Sequence, residues 1–426
     1  MGDIINKKIF IGLTEISGYC ANLKKGFDEI GEDCTFITLS QQLHNYGNKY
    51  NSLFFTKIYR WLDKQQEVYQ SRFKQAPFYI SKQLIKFLIF IWALTNYKIF
   101  IFVFGQSFYY GYDLPILRCL NKKIIFVFLG SDARPPYING AVKNAGVDDY
   151  YKISIKMKKN IKFIEKYSDA TINNMTCCHF HEKPILKFAL IGLPYIYDDY
   201  NICTIKKENY IKILHAPSDP IGKGSDHIRT AIRDIRDRGY KIEYIELTGK
   251  PHSEVIEQLQ SCDFVVDQVF AGPLGGFSTE AAWFGKPAVI GGYYAEYIQD
   301  DYSPEDIPPC LFCHPDKIMD AIERLIRDEN YRLELGKSAQ EFVRTRWTPE
   351  EIAKCYLKII ESNIPVNWFF DPHDVYYLQG YGLPEDKSKE IIRAMVKKYG
   401  VKSLCLSDKP KLEQRFIEYA FDSKKY

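Results

Sequence analysis

Two segments carry residues whose types and spacing suit the handling of a diphosphate. The first, 263–290, reads DFVVDQVFAGPLGGFSTEAAWFGKPAVI. A strand pattern ends at Asp267-Gln268, a Gly/Pro loop follows, and a helix pattern begins near Gly275-Gly276, with Glu280 about one turn inside it. Glycines at a strand-to-helix turn let backbone N–H groups close on an anion, and the helix N-terminus adds partial positive charge. A diphosphate there leaves Glu280 placed to accept hydrogen bonds from ribose hydroxyls; the plain alternative is a tight turn with a surface Glu. The second segment, 215–228, reads HAPSDPIGKGSDHI and again joins a strand end, a loop and a helix start, with Ser218 and Lys223 in the loop. A loop Lys can neutralise the phosphates of a departing nucleoside diphosphate, although a lone one is ordinarily just solvated. Adjacent parallel strands present both loops at one sheet edge, so the pair says more than either alone.

The order of apolar runs supplies a frame for those loops. Runs at 8–13, 34–39, 98–105 and 123–130 are short and rich in Ile, Val and Phe, which predicts strands. Helical stretches separate them, at 19–30, in a long basic region through Trp92, and at 112–120. Apolar runs without alternation, spaced by helices, are the pattern of strands buried on both faces of a parallel sheet. The pattern repeats at 211–216, 241–248, 263–269 and 287–291. The helix at 225–238 sets Ile228, Ala231, Ile232 and Ile235 on one face and stops at Gly239. Another, around 276–284, ends at Gly285. The fold expected is α/β, with doubly wound domains at 1–195 and 205–346 joined near 192–201, then a helical segment and extension at 347–426. The stretch 363–426 carries no functional reading.

Open α/β sheets place ligands at the C-terminal ends of their strands. In the first domain those ends carry 12–22 (GLTEISGYCAN) and 130–134 (GSDAR). Gly12, Glu15, Asp132 and Arg134 are the candidates there: Glu15 and Asp132 for hydroxyl groups, Arg134 for a phosphate. An ordinary turn or cap role is the alternative for each.

The chain has 426 residues, 46% hydrophobic and 26% charged, the balance of a folded protein of two to three domains. Aromatics reach 15%, which points to aromatic cores or to a surface that meets lipid or sugar. The net charge is +4, yet 51–98 alone holds eight Lys/Arg against Asp63 and Glu67, a net +6, interleaved with Phe, Tyr and Trp such as Phe73, Phe87 and Trp92. That composition suits an anionic membrane surface, with helices bearing solvated bases as the alternative. No nucleic-acid-binding motif accompanies the charge. The longest apolar run, 87–94, is short of the ~20 residues of a bilayer span, so no transmembrane helix is expected. Eleven irregularly spaced Cys and no secretory signal point to reduced thiols in the cytoplasm. Cys177-Cys178-His179 with His181, and Cys310-x-x-Cys313 with His314, lack a matching pair at zinc-ligand spacing, and no metal site is expected.

The two loop segments resemble glycosyltransferase family 4, whose retaining enzymes carry a loop Lys followed by Gly and then a Glu-x7-Glu motif. Lys223-Gly224 and Glu280 fall on those positions, and SDATINN at 168–174, followed by Gly192-Leu193-Pro194, is similar to the family's approach to its domain junction. The resemblance spans 211–345, continues collinearly through the first domain and stops before 363. It implies a GT-B fold, two Rossmann-like domains facing across a cleft. It also implies transfer of a hexosyl group from a nucleotide-sugar donor, without a further cofactor, to a saccharide or lipid-linked acceptor, as in bacterial surface polysaccharide synthesis. Lys223 and Glu280 would be catalytic, and Ser218, Thr248, His252, Asp267, Gly275 and Gly276 would join them around the donor. The sequence departs from the family at Gly272, where the first Glu of the motif belongs, at Ser218, near the Arg that partners the Lys, and at Leu129, where a His is usual. These departures leave room for a catalytically silent, nucleotide-sugar-binding partner subunit. Sugar-nucleotide epimerases use the GT-B fold as well.

Overall fold

The computed structural model describes residues 8–39, 54–69, 71–195, 209–273 and 275–421. Part of the expected domain junction, 196–201, lies outside them.

Six parallel strands build the first sheet: β1 (Ile9–Leu13), β2 (Cys34–Thr38), β3 (Ile99–Val103), β4 (Lys123–Val127), β5 (Ala170–Asn173) and β6 (Ile185–Lys187). Helices α1 (Tyr19–Glu29), α2 (Phe54–Val68), α3 (Arg72–Asn96), α4 (Leu114–Cys119), α5 (Val147–Tyr167) and α6 (Phe188–Ile191) cover it. The strand IFIFV of β3 shows how sequence becomes layer. Phe100 and Phe102 face one side with Phe10, Phe108 and Phe126, whereas Ile99, Ile101 and Val103 face the other with Ile125 and Val127. Aromatic rings thus fill one face of the sheet and β-branched chains the other. Each such side chain taken out of water contributes about 1.5–3 kcal/mol.

The second sheet holds β7 (Ile211–His215), β8 (Ile242–Glu246), β9 (Phe264–Gln268), β10 (Ala288–Gly291) and β11 (Leu311–Cys313), all parallel. Its helices are α7 (Pro220–Lys223), α8 (Ser225–Asp237), α9 (His252–Ser261), α10 (Gly276–Trp283), α11 (Ile298–Asp301), α12 (Ile318–Arg327) and α13 (Glu329–Arg346). Its strand order, β11-β10-β9-β7-β8, matches the order β6-β5-β4-β3-β1-β2 of the first sheet over five positions. In both sheets the direction of winding reverses between the first strand and the third, which opens a crevice beyond their C-terminal ends. The α/β fold class expected from the sequence is the one observed.

The C-terminal residues return to the first sheet. Helix α14 (Pro349–Ile360) packs on α1 so closely that a side chain on Gly26 would run into the Pro349 carbonyl, and the Tyr19 and Tyr356 hydroxyls meet at 2.7 Å. Strand β12 (Phe369–Phe370) then adds antiparallel to β6. Helices α15 (Glu385–Tyr399) and α16 (Pro410–Phe421) place Ile392, Met395, Leu412 and Phe416 in one core with Phe100 and Phe126.

Helix α3 departs from expectation. Its stretch Phe73–Asn96, of mean hydropathy 1.4, is long and apolar enough by length and composition to cross a membrane, and 17% of its most apolar window is buried. Run length missed it because Lys82 and Lys86 interrupt the apolar residues. Lys82 pairs with Asp63 of α2, and Lys86 lies over the rings of Tyr109 and Tyr110. The inward side of the helix buries Ile89, Phe90 and Ala93, while Phe73, Ile80, Leu84, Phe87, Leu88 and Ile91 stand exposed.

Candidate functional site

The loops after β7 and β9 flank the crevice of the second sheet. In the first, the Asp219 carboxylate accepts from Ile221 N and caps the short α7. Gly224 ends that turn at φ +73°, where a Cβ would stand 2.8 Å from Val269 Cβ, and Val269 N donates to the Lys223 carbonyl at 3.0 Å. The loop is therefore locked to the end of β9. Lys223 Nζ donates to Asp267 Oδ1 at 3.0 Å and to Gln268 Oε1 at 2.7 Å. Asp267 is 2% exposed, and its Oδ2 has no hydrogen-bond partner. A Cβ on Gly275 would stand 2.5 Å from that oxygen, so only glycine lets the loop pass.

Helix α10 starts beside this pair. Its N-cap Gly275 offers no side-chain cap, and the Ser278 and Thr279 hydroxyls donate back to the Gly275 carbonyl. Gly275 therefore supplies no side-chain cap to the N–H groups of the first turn, the arrangement that favours an anion. One turn on, buried Glu280 meets His252 Nε2 through Oε1 at 2.8 Å. His252 is the first residue of α9. Burial lowers its imidazole pKa, but the hydrogen bond and charge of Glu280 outweigh this and hold it above the ordinary value. Lys223, Asp267, Gly275, Gly276, Glu280 and His252 are thereby brought around one crevice, with Ser218 and Thr248 exposed on its loops. Gln268 and Tyr195 went unforeseen. The Tyr195 hydroxyl lies 2.5 Å from where a Cβ on Gly276 would sit.

The first sheet divides its candidates. Gly12 lies inside β1 rather than in the loop after it, packed where a Cβ would approach the Ile37 carbonyl to 2.8 Å. The Glu15 oxygens accept from Cys20 N and Ala21 N at 3.2 and 2.9 Å, so this carboxyl caps α1 instead of facing a hydroxyl ligand, and burial pushes its pKa up to about 7. Arg134 is enclosed: it donates to Cys177 Sγ, and its guanidinium stacks 3.6 Å from the Tyr381 ring centroid, which leaves no room for a phosphate in this arrangement. Asp132 differs. Its Oδ1 accepts from Leu129 N, its Oδ2 is enclosed without a partner, and burial pushes the carboxyl up to about 7.

Residues 376–384 cross between the two sheets as a strap. Tyr381 N donates to the Ile138 carbonyl, Gly140 N donates to the Tyr381 carbonyl, and Gly382 N donates to the Phe270 carbonyl. The Tyr381 hydroxyl lies 3.5 Å from where a Cβ on Gly272 would be, so a tyrosine stands beside the position that lacks its carboxylate. The space left there, bordered by Asn174, Thr176, Gly272, Tyr294 and Tyr381, is about 20 Å³, enough for a water but not for a sugar. Lys143 and Asp219 close the same cleft with a 2.5 Å ion pair. In the sequence, only the bracketing of Tyr381 by Gly380 and Gly382 hinted at this passage. The histidines at 179 and 181 are buried in its support: His179 Nε2 bonds the Tyr377 carbonyl, and His181 bonds Glu165 and Asn173.

The fold and crevices define a two-domain α/β protein built from paired Rossmann-like units. No family model matches the sequence, and no curated protein matches it. Among solved structures, the chain is similar to sucrose-phosphate synthase from Thermosynechococcus elongatus, at 12% identity and a TM-score of 0.48, over 83% of this chain and 98% of that one. It is also similar to HepE of Anabaena in complex with UDP, at 10% identity and a TM-score of 0.48, over 83% and 99%. The catalytic domain of starch synthase IV from Arabidopsis thaliana, bound to ADP and acarbose, gives 11% identity and a TM-score of 0.46, over 83% and 98%.

Proposed function

We propose that the protein is a glycosyltransferase of the GT-B type that takes a sugar from a nucleotide-sugar donor held on the second sheet. The observation that carries this reading is the convergence of the Lys223 loop, the uncapped start of α10 and the Glu280–His252 pair at one crevice. A lysine has three donors. Two of those on Lys223 go to Asp267 and Gln268, and the third is left for a phosphate oxygen. The α10 amides take the other phosphate oxygens, and Glu280, oriented by His252, accepts from the ribose hydroxyls. During transfer, the acceptor hydroxyl oxygen bonds the anomeric carbon while the bond from that carbon to the diphosphate breaks. The electron pair leaves with the diphosphate, steadied by Lys223, and the hydroxyl proton passes to it. Withdrawal of the strap at Tyr381 makes room for the sugar.

The acceptor in this reading is lipid-linked and is met at the cytoplasmic face of a membrane, on which the α2–α3 hairpin lies with its exposed apolar side down and its bases toward anionic headgroups. A second reading, a nucleotide-sugar-binding subunit without turnover of its own, is favoured by Gly272 and by the filled cleft beside it. Transfer of radiolabel from UDP-, GDP- and ADP-sugars to a lipid extract tests between them. The transferase reading expects label in lipid with the wild type and little with Lys223→Ala or Glu280→Ala. Equal transfer by all three proteins would contradict it. Donor binding without transfer, by the wild type as well, would support the silent subunit.

A further inference from the structure

A lysine of the first domain stands against the loop that carries Lys223. Lys143 follows the 3-10 turn Gly140–Val142, which Asn139 fixes: its Oδ1 accepts from Ala141 N at 3.2 Å, and its Nδ2 donates to the Ser131 carbonyl at 3.2 Å. Glycines bring this turn up to α7. A Cβ on Gly140 would stand 1.9 Å from the Gly382 carbonyl oxygen, and one on Gly382 would stand 3.3 Å from that of Gly222. The backbones of the first domain, the strap and the second domain thus meet at one point, a closeness that side chains would prevent.

That meeting delivers the Lys143 ammonium to the loop. Its Nζ lies 2.5 Å from Asp219 Oδ2 and 3.7 Å from where a Cβ on Gly222 would sit, so it faces the residue before Lys223. Partial burial pushes the Asp219 carboxyl up, but the Lys143 hydrogen bond and the Gly222 and Ile221 amides outweigh this and hold it below its ordinary pKa. The pair is therefore charged. The Asp219 side chain is 50% exposed, and an ion pair so open to water contributes little to stability. A purely structural account leaves Lys143 with little to do.

The charges of the loop give it a further role. Residues 218–223 offer a diphosphate one cation, Lys223, and set the Asp219 carboxylate beside it, while Ser218 brings a hydroxyl and no charge. A carboxylate next to a bound diphosphate repels it unless a cation stands between them. One of the three donors of Lys143 goes to Asp219, and among the described residues the other two have no partner. Phosphate oxygens would accept from them in charge-assisted bonds. We propose that Lys143 is a phosphate-binding residue supplied by the first domain, bridging Asp219 and the diphosphate of the donor. The assignment rests on the transferase reading, and it adds a second cation and the domain that provides it.

Calorimetry of UDP, ADP and GDP against the full-length protein tests this with three variants, each shown to be folded by its melting temperature. Lys143→Met keeps the apolar stem and removes the charge, and is expected to weaken nucleoside diphosphate binding about tenfold. Asp219→Asn keeps a capping side chain on α7, frees Lys143 and removes the repulsion, so its binding is expected to match or exceed that of the wild type. A merely structural pair would not give this contrast, because losing either half breaks the same lock. A shift of both variants in one direction, or binding left unchanged or tightened by Lys143→Met, would overturn the proposal. Lys223→Ala separates Lys143 from the donor site itself. Binding that Lys223→Ala abolishes and Lys143→Met leaves intact would dismiss Lys143 alone, whereas no binding by the wild type would remove the donor site and this assignment with it.

Discussion

His252 Nε2 and Glu280 Oε1 lie 2.8 Å apart, joining the first residue of one helix to a residue one turn into another. The contact fixes a buried carboxylate beside the start of α10. Because the folded pKa of His252 is raised, its protonated form stabilises the fold below about pH 6.5, and that contribution is lost as pH rises through the folded value. The stability difference between wild type and His252→Asn is therefore expected to be largest at pH 5–6 and to shrink by pH 8. A difference that grows with pH would exclude a charged pair.

Glu280→Gln should weaken binding of ribonucleoside diphosphates by about tenfold and narrow their advantage over 2′-deoxy counterparts, since hydrogen bonds to a charged acceptor contribute about 1.5–3 kcal/mol. Competition titrations with both sugars read this directly. An unchanged ribose preference would move the ribose away from Glu280.

Tyr381→Ala removes a ring that stacks on Arg134 and fills the space beside Gly272. The half-buried ring is lost from its contacts, so the melting temperature should fall. Donor affinity should stay the same or rise, because the ring occupies the space that the proposed function assigns to the sugar. A variant that melts lower and also loses nucleotide-sugar binding would make Tyr381 a wall of the donor site rather than an occupant.

Asp132 titrates at about 7 in the folded protein. Between pH ~4 and ~7 the native carboxyl keeps a proton that the unfolded chain has lost, so stability falls as pH rises across that window. Glu15 contributes the same slope. Asp132→Asn should flatten the decline of melting temperature between pH 5 and 8, whereas an unaltered slope would mean that its carboxyl is solvated.

The hairpin carries the membrane expectation. Phe73, at 92% exposed, and Phe87 point away from the body, so Phe73→Glu with Phe87→Glu should abolish sedimentation with anionic vesicles and leave the melting temperature within a few degrees. Persistent sedimentation would place the contact elsewhere.

The predicted strands of both sheets recur within one to three residues of their observed ends, because uninterrupted Ile, Val and Phe runs such as IFIFV suit only a sheet covered on both faces. The placement of Lys223 in the loop after β7 and of Glu280 one turn into α10 was legible because glycines mark those strand-to-helix turns. Other parts depend on contacts between segments far apart in sequence, which no local pattern encodes. Glu15 and Arg134 read as ligand groups although one caps α1 and the other stacks on Tyr381. Beyond its flanking glycines the strap gave no signal for the same reason: Tyr381 gains meaning only from Gly272, Ile138 and Phe270, each more than a hundred residues away.

Calorimetry against a panel of nucleoside diphosphates and nucleotide sugars tests the donor site most directly. One base is expected to bind, and Lys223→Ala, circular dichroism confirming its fold, is expected to lose at least about tenfold in affinity, or ~1.4 kcal/mol. Binding of none of them, or equal binding by the Lys223→Ala protein, would contradict a diphosphate site at this crevice.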